Sequence, residues 1–176
     1  MTKWLLFLII IFSFSFSEAR KIMGKHRLST GVMVLASSTS QGGQGPQGST
    51  VLTHSEYMYN FGWWNFGMFY QYDKQGTVQQ DTAFGPKLDV QFGPLFLEVG
   101  YMAIMYRSYT DRSVADETGD GYFAGAGVRF RLSKNWFFQG SYKYRVQNIK
   151  EQDGLKLSEN IEQIDGYPLA GVGLNF

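Results

Sequence analysis

Apolar and polar residues alternate along most of this chain. The alternation is clearest over residues 128–132 and 138–146. A period of two places successive side chains on opposite faces of an extended strand. The pattern predicts eight strands, over residues 28–37, 51–61, 66–74, 82–92, 95–109, 121–132, 136–149 and 161–176.

The connections between these strands alternate between long and short. The long ones, rich in Gly, Ser, Gln, Asp and Glu, are residues 38–50, 75–81, 110–120 and 150–160. The short ones are residues 62–65, 93–94 and 133–135. An even number of antiparallel strands with this asymmetry is typical of bacterial outer-membrane proteins. The sequence therefore predicts an all-β fold, an eight-stranded antiparallel up-and-down transmembrane β-barrel with its short turns and both termini in the periplasm.

Alternation also divides the side chains between two faces. In the sixth predicted strand Val128 and Phe130 share one face, while Arg129 and Arg131 share the other. Periodicity alone does not distinguish inside from outside, and a soluble barrel would turn its apolar face inward. An N-terminal export segment, the unequal turns and the aromatic strand ends favour an apolar outer face in contact with lipid.

The first residues have the features of a cleavable signal peptide. A basic start is followed by an apolar run over residues 4–16 and by small residues at Ser17 and Ala19. The apolar run is shorter than the ~20 residues of a spanning helix, which disfavours the alternative of a retained anchor. We predict a signal peptide over residues 1–19, a short periplasmic lead over 20–26 and one barrel domain over 27–176.

Composition excludes several classes of function. The net charge of +1 and the 18% of charged residues do not fit a nucleic-acid-binding protein. The chain has no cysteine, which excludes a lipoprotein attachment site, disulfides and thiolate metal sites. The longest apolar stretch of the barrel region, residues 94–106, is interrupted by Glu98, so a membrane-spanning form requires a closed sheet.

Aromatic residues flank the predicted short turns. Membrane barrels carry such aromatics where the wall meets the lipid headgroups, although ordinary core aromatics are the alternative interpretation. The predicted interfacial aromatics are Trp63, Trp64, Phe92 and Trp136, together with the last residue, Phe176.

Residues 125–145 and the C-terminal segment 171–176, Gly-Val-Gly-Leu-Asn-Phe, resemble the small outer-membrane β-barrel family that includes the OmpX-like proteins and the OmpA membrane domain. The resemblance covers roughly residues 27–176. It implies residence in the outer membrane of a Gram-negative bacterium, among lipid and lipopolysaccharide. It also implies that the outer-membrane assembly machinery reads the last strand, through Val172, Leu174 and Phe176.

Charged residues on the inward face suggest a filled interior. A two-residue turn at Gly93-Pro94 would place Asp89 directly opposite Glu98, and facing like charges are unfavourable. We therefore expect Arg129 to be shared between the two carboxylates. The whole predicted network comprises Asp89, Glu98, Arg129 and Arg131, with Lys87, Glu56, Lys143 and Arg145 in a second layer. The narrow interior of an eight-stranded barrel favours a salt-bridge plug over a gated ion path.

Histidine is the first place to look for catalysis. If Phe61 pairs with Phe66, His54 faces Asp73, and such a pair could orient a general base. Small barrels that deacylate lipid A use His, Ser and Glu, but Ser55 must point to the face opposite His54. We therefore predict a luminal polar pair of His54 and Asp73 without catalytic residues, cofactor or metal.

The sequence supports a non-enzymatic structural or surface-interaction barrel that acts through its extracellular loops. A narrow pore, or a barrel that carries lipid or another hydrophobic molecule, is the alternative, and a lipid A-modifying enzyme is a distant third. The sequence identifies no extracellular ligand.

Overall fold

A computed structural model describes residues 25–35, 50–76, 79–111 and 113–176. The predicted signal peptide, nearly all of the periplasmic lead and most of the first long connection lie outside these residues. Among the described residues, no helix is long and apolar enough to cross a membrane. The strands are β1 (His26–Leu35), β2 (Thr50–Asn60), β3 (Trp64–Gln75), β4 (Gln79–Phe92), β5 (Leu95–Tyr109), β6 (Glu117–Arg131), β7 (Trp136–Gln152) and β8 (Leu155–Asn175).

The eight strands form one closed barrel. Each strand pairs antiparallel with the next, and β8 pairs with β1 to complete the ring. His26 N–H donates to the Phe176 carbonyl at 2.9 Å, and Phe176 N–H donates to the His26 carbonyl at 3.0 Å. Pairing of β1 with β8 over residues 27–32 and 170–175 closes the ring, and the predicted eight-stranded antiparallel up-and-down barrel is confirmed.

The wall of the barrel has an apolar outside and a polar inside. In β3 the side chains of Phe66 and Tyr70 are exposed, whereas Gln71 and Asp73, on the other face, are buried. Strands β4 and β5 follow the same pattern, with charged residues inside and aliphatic residues outside. This arrangement is the reverse of a soluble protein, which buries its apolar side chains.

The short turns gather at one end of the barrel. They occupy residues 61–63, 93–94 and 132–135, and Gly62 and Gly93 adopt positive φ angles of 88° and 62° in the first two. Glycine adopts such angles without a steric penalty. The described N-terminal residues and Phe176 lie at this same end, so the opposite end carries the other connections.

The predicted long connection over residues 150–160 is wrong. Strands β7 and β8 continue through it and are joined by a two-residue turn, Asp153-Gly154, with φ angles of 48° and 75°. Positive φ at both central residues is the hairpin geometry that Asp-Gly favours. Residues 158–166 are exposed on both faces of the strand. The outer part of this hairpin therefore projects beyond the barrel mouth.

The two prolines inside strands behave differently. Pro86 lies within a register shift between Phe84 and Lys87 in the β4–β5 pair, which is the irregularity that its missing N–H predicts. Pro168 pairs with Tyr142 in the β7–β8 ladder without a register shift. The β1–β8 ladder ends at Ala170, and Pro168 thus lies beyond the part of β8 that is paired on both sides.

Candidate functional site: the luminal charge network and the outer mouth

Asp89 is the centre of the charged layer nearest the short turns. Arg27 from β1 forms an ion pair with this carboxylate across the lumen, and the amide of Asn65 donates to it from β3. Arg129 from β6 lies 3.4 Å from the same carboxylate. Three donors from three strands therefore converge on one buried anion.

A second layer is built around Lys87. Its ammonium forms ion pairs with both Glu56 of β2 and Glu98 of β5. Lys143 of β7 lies 3.3 Å from Glu98, and Arg27 lies 3.4 Å from Glu56, which links this layer to the first. The two layers together form what we call the luminal plug.

The luminal plug is buried and compensated. It comprises four cations and three carboxylates, each at most 4% exposed: Arg27, Lys87, Arg129, Lys143, Glu56, Asp89 and Glu98. A buried charge is costly unless it is paired and hydrogen-bonded. Every member here has an oppositely charged partner, and the pairs join strands on different sides of the wall.

Two arginines depart from their predicted roles. The prediction that Asp89 and Glu98 share Arg129 is wrong, because the cations within 4 Å of Glu98 are the two lysines. Arg131 is outside the lumen and exposed, with its guanidinium donating to the carbonyls of Ser133 at 2.7 Å and Lys134 at 3.2 Å. Arg131 is the last residue of β6, so its side chain extends beyond the rim into the turn.

The predicted pairing of His54 with Asp73 is also wrong. His54 lies opposite Gln71, and Asp73 lies opposite Leu52, because Asn60 rather than Phe61 closes the first short hairpin. The His54 ring stacks on Phe69 with centroids 5.2 Å apart, and its Nε2 lies 3.0 Å from the Lys143 Nζ.

The residues next to His54 do not form a catalytic triad. Glu56 shares the luminal face, with its carboxylate 3.7 Å from the His54 Nε2. Ser55 points to the outer face, where its hydroxyl lies 3.1 Å from that of Thr30. A nucleophilic serine and its base must share a face, so this segment lacks the geometry for Ser–His chemistry.

An apolar layer lies beyond the plug, towards the outer mouth. Phe69 and Phe123 meet edge to face with centroids 5.0 Å apart, and Met102 and Ala83 pack with them in one buried cluster. Gly100 makes room for this layer, since a Cβ there would overlap the Phe123 ring. The lumen is therefore packed with apolar side chains above its charged layers.

A third charged group lies near the outer mouth, and sequence analysis missed its centre, Arg107. The guanidinium binds the Asp81 carboxylate through two hydrogen bonds of 2.9 Å and lies 3.0 Å from Glu117. A register shift between Met102 and Met105 turns Arg107 inward, whereas strict alternation from Glu98 would turn it outward.

Arg145 belongs to this outer group rather than to the second layer in which we predicted it. Its Nε donates to Asp165 at 2.9 Å, and its Nη2 lies 3.4 Å from Asp73. Asp165 is itself part of the β7–β8 hairpin, so Arg145 joins the projecting hairpin to the barrel wall.

The predicted interfacial aromatics surround the end that carries the short turns. Trp63, Trp64 and Trp136 are each 53% exposed, and Phe92 lies beside Trp63 with ring centroids 6.5 Å apart. Of the predicted assembly residues, Val172 and Phe176 are exposed on the outer wall and Leu174 is half-buried. Within the described part of the chain, no group of three or more His, Asp or Glu residues is arranged to hold a metal ion.

Comparisons with known proteins identify the fold. The sequence matches no protein-family model, and a search of curated proteins finds no significant match. The crystal structure of Neisserial surface protein A is similar at a TM-score of 0.59 and 17% identity, over 86% of this chain and 96% of that one. The N-terminal β-barrel domain of Pseudomonas aeruginosa OprF is similar at 0.52 and 16%, with the same coverage. The predicted resemblance to small outer-membrane barrels is confirmed for the fold.

Proposed function

We propose that this chain is an integral β-barrel of the outer membrane of a Gram-negative bacterium, exported by a cleaved signal over residues 1–19. The apolar outer wall supports this proposal, because large exposed apolar surfaces in an otherwise well-paired protein mark contact with lipid or partners. The exposed tryptophans at one rim and the similarity in fold to outer-membrane barrels support it further.

The role that we propose is structural and surface-interacting rather than catalytic or conducting. The observation that carries this proposal is the luminal plug, in which Arg27 and Asp89 pair from opposite sides of the interior. Ion pairs and packed aromatics occupy the space that a pore would need. Interaction with partners then falls to the outer end of the barrel, where the β7–β8 hairpin projects beyond the mouth.

The proposed partners follow from this location. Lipid and lipopolysaccharide contact the apolar wall, and the outer-membrane assembly machinery reads the last strand through Val172, Leu174 and Phe176. No part of this proposal requires a cofactor.

Single-channel recording in planar bilayers tests the closed lumen directly. We expect the purified barrel to give no discrete conductance steps above the bilayer leak. Lys87→Thr removes a plug cation, and Phe84→Thr alters the outer wall of the same strand as a matched control. A different outcome would establish a pore instead. In that case the unmodified protein gives conductance steps, and their ion selectivity changes with Lys87→Thr but not with Phe84→Thr.

A further inference from the structure

A polar cavity of about 400 Å³ opens at the outer mouth, on the far side of the apolar layer from the luminal plug. Its size lies within the range of small-molecule sites in proteins. Its polar lining consists of four glutamines, two arginines and one aspartate: Gln75, Gln79, Gln147, Gln163, Arg107, Arg145 and Asp165. This composition differs from the plug, because amides rather than charges predominate.

The charges around the cavity are already compensated. Arg107 is held by Asp81 and Glu117, and Arg145 by Asp165 and Asp73. Each guanidinium is therefore held by two carboxylates, and all five N–H groups of Arg107 are donated to neighbouring side chains, which leaves little positive charge for an anionic ligand. The carboxylates are in turn engaged by the guanidinium groups, which weakens their attraction for a cation.

Hydrogen-bonding groups remain available after these contacts. The Oε1 atoms of Gln163 and Gln147 accept from Arg107 at 2.8 and 3.2 Å, which directs the amide nitrogens of both residues to other partners. The Gln79 nitrogen donates to Asp81 at 3.0 Å, which leaves its carbonyl oxygen as an acceptor. The cavity thus offers both donors and acceptors on neutral groups.

We infer that the outer mouth binds a neutral polyhydroxylated ligand, of the class of a mono- or disaccharide. Hydroxyls match the mixed donors and acceptors, and neutrality matches the compensated charges. Tyr109 and Ile164 also line the cavity and provide an apolar surface for the C–H face of a sugar ring. This inference goes beyond the proposed surface role and does not depend on whether the lumen conducts.

Isothermal titration calorimetry on the whole folded barrel in detergent tests the inference. The neutral probes are N-acetylglucosamine, methyl β-galactoside and lactose, and the charged probes are glutamate and spermidine. We expect at least one neutral sugar to bind with a Kd below about 10 mM, and neither charged probe to bind.

Gln163→Ala should weaken sugar binding by about 3- to 10-fold, which is the usual effect of one lost hydrogen bond. Gln163 lies on the exposed hairpin, so folding should tolerate this change. Gln80→Ala, on the outer face at the same end, is the matched control and should leave affinity unchanged. The inference fails if no neutral sugar binds, if only glutamate or spermidine binds, or if Gln163→Ala and Gln80→Ala give equal affinities.

Discussion

Asp89 lies directly opposite Glu98 across the β4–β5 pair, yet the two carboxylates are neutralised by different cations. Asp89 pairs with Arg27 from the far side of the lumen, and Glu98 pairs with Lys87 and Lys143. Facing like charges on neighbouring strands normally repel each other. Separate neutralisation offsets this repulsion and at the same time links β1, β4, β5 and β7 through the interior.

Arg27→Met should strongly destabilise the barrel. The change removes an ion-pair partner from Asp89 and leaves Arg129, at 3.4 Å, as its remaining cation. Breaking a buried ion pair by removing one partner typically costs about 3–5 kcal/mol. Urea unfolding in detergent, followed by tryptophan fluorescence, would measure the loss.

The double variant Arg27→Met with Asp89→Asn is the control for this experiment. Removing the carboxylate that has lost one of its two cations should recover part of the lost stability, so the two changes should be non-additive. A purely additive result would mean that Arg27 contributes through packing of its long side chain rather than through its charge.

Energetic coupling should distinguish the partners of Glu98. Glu98→Gln and Lys143→Met should couple by about 0.5–3 kcal/mol, because the two groups lie 3.3 Å apart. Glu98→Gln and Arg129→Met should couple less, because Arg129 contacts Asp89 instead. Urea midpoints for the single and double variants give both coupling energies, and a larger value for the arginine pair would contradict the observed network.

The strand order and the two faces of the barrel could be predicted because apolar and polar residues alternate in the sequence wherever one face of a strand is apolar. The outer half of the β7–β8 hairpin was missed for the same reason. It is exposed on both faces, so its sequence lacks alternation, and residues 150–160 resembled a loop. The available signal was Asp153-Gly154, a favoured hairpin dipeptide.

Side-chain partners were harder to predict than faces. The first hairpin is displaced by two residues from its predicted register, which keeps His54 inside but gives it Gln71 instead of Asp73 as a neighbour. The bulge after Met102 reverses the alternation and brings Arg107 inward. Arg27 was missed because it was placed at the very start of the barrel, although its alternation with the exposed Leu28 indicates an inward side chain.

Arginine should be tolerated on the outer wall only away from the centre of the membrane. Val99 lies in the middle part of β5, and Leu155 lies on the projecting hairpin, and both are exposed apolar residues. Val99→Arg should cost about 2–4 kcal/mol if it is near the bilayer midplane, whereas Leu155→Arg should cost about 0–1 kcal/mol. Reversible unfolding from lipid vesicles compares the two, and equal costs would refute the proposed position of the membrane.

Deleting Phe176 should impair assembly of the barrel in cells. Phe176 exchanges two backbone hydrogen bonds with His26, and their rings stack with centroids 5.6 Å apart, so the residue lies at the seam that closes the ring. In the proposed membrane orientation, its exposed aromatic ring lies at the periplasmic interface. Heat-modifiable migration on gels and surface exposure after cell fractionation would measure assembly.

Two further measurements distinguish two possible roles of Phe176: recognition by the assembly machinery and closure of the barrel between β1 and β8. Phe176→Tyr retains an aromatic ring and the backbone bonds, so it should assemble normally. Refolding of the deletion variant into detergent needs no assembly machinery. If it refolds there but fails in cells, the last residue acts as a recognition signal, and if it fails in both, Phe176 is needed to close the barrel. Normal assembly in cells would eliminate both roles.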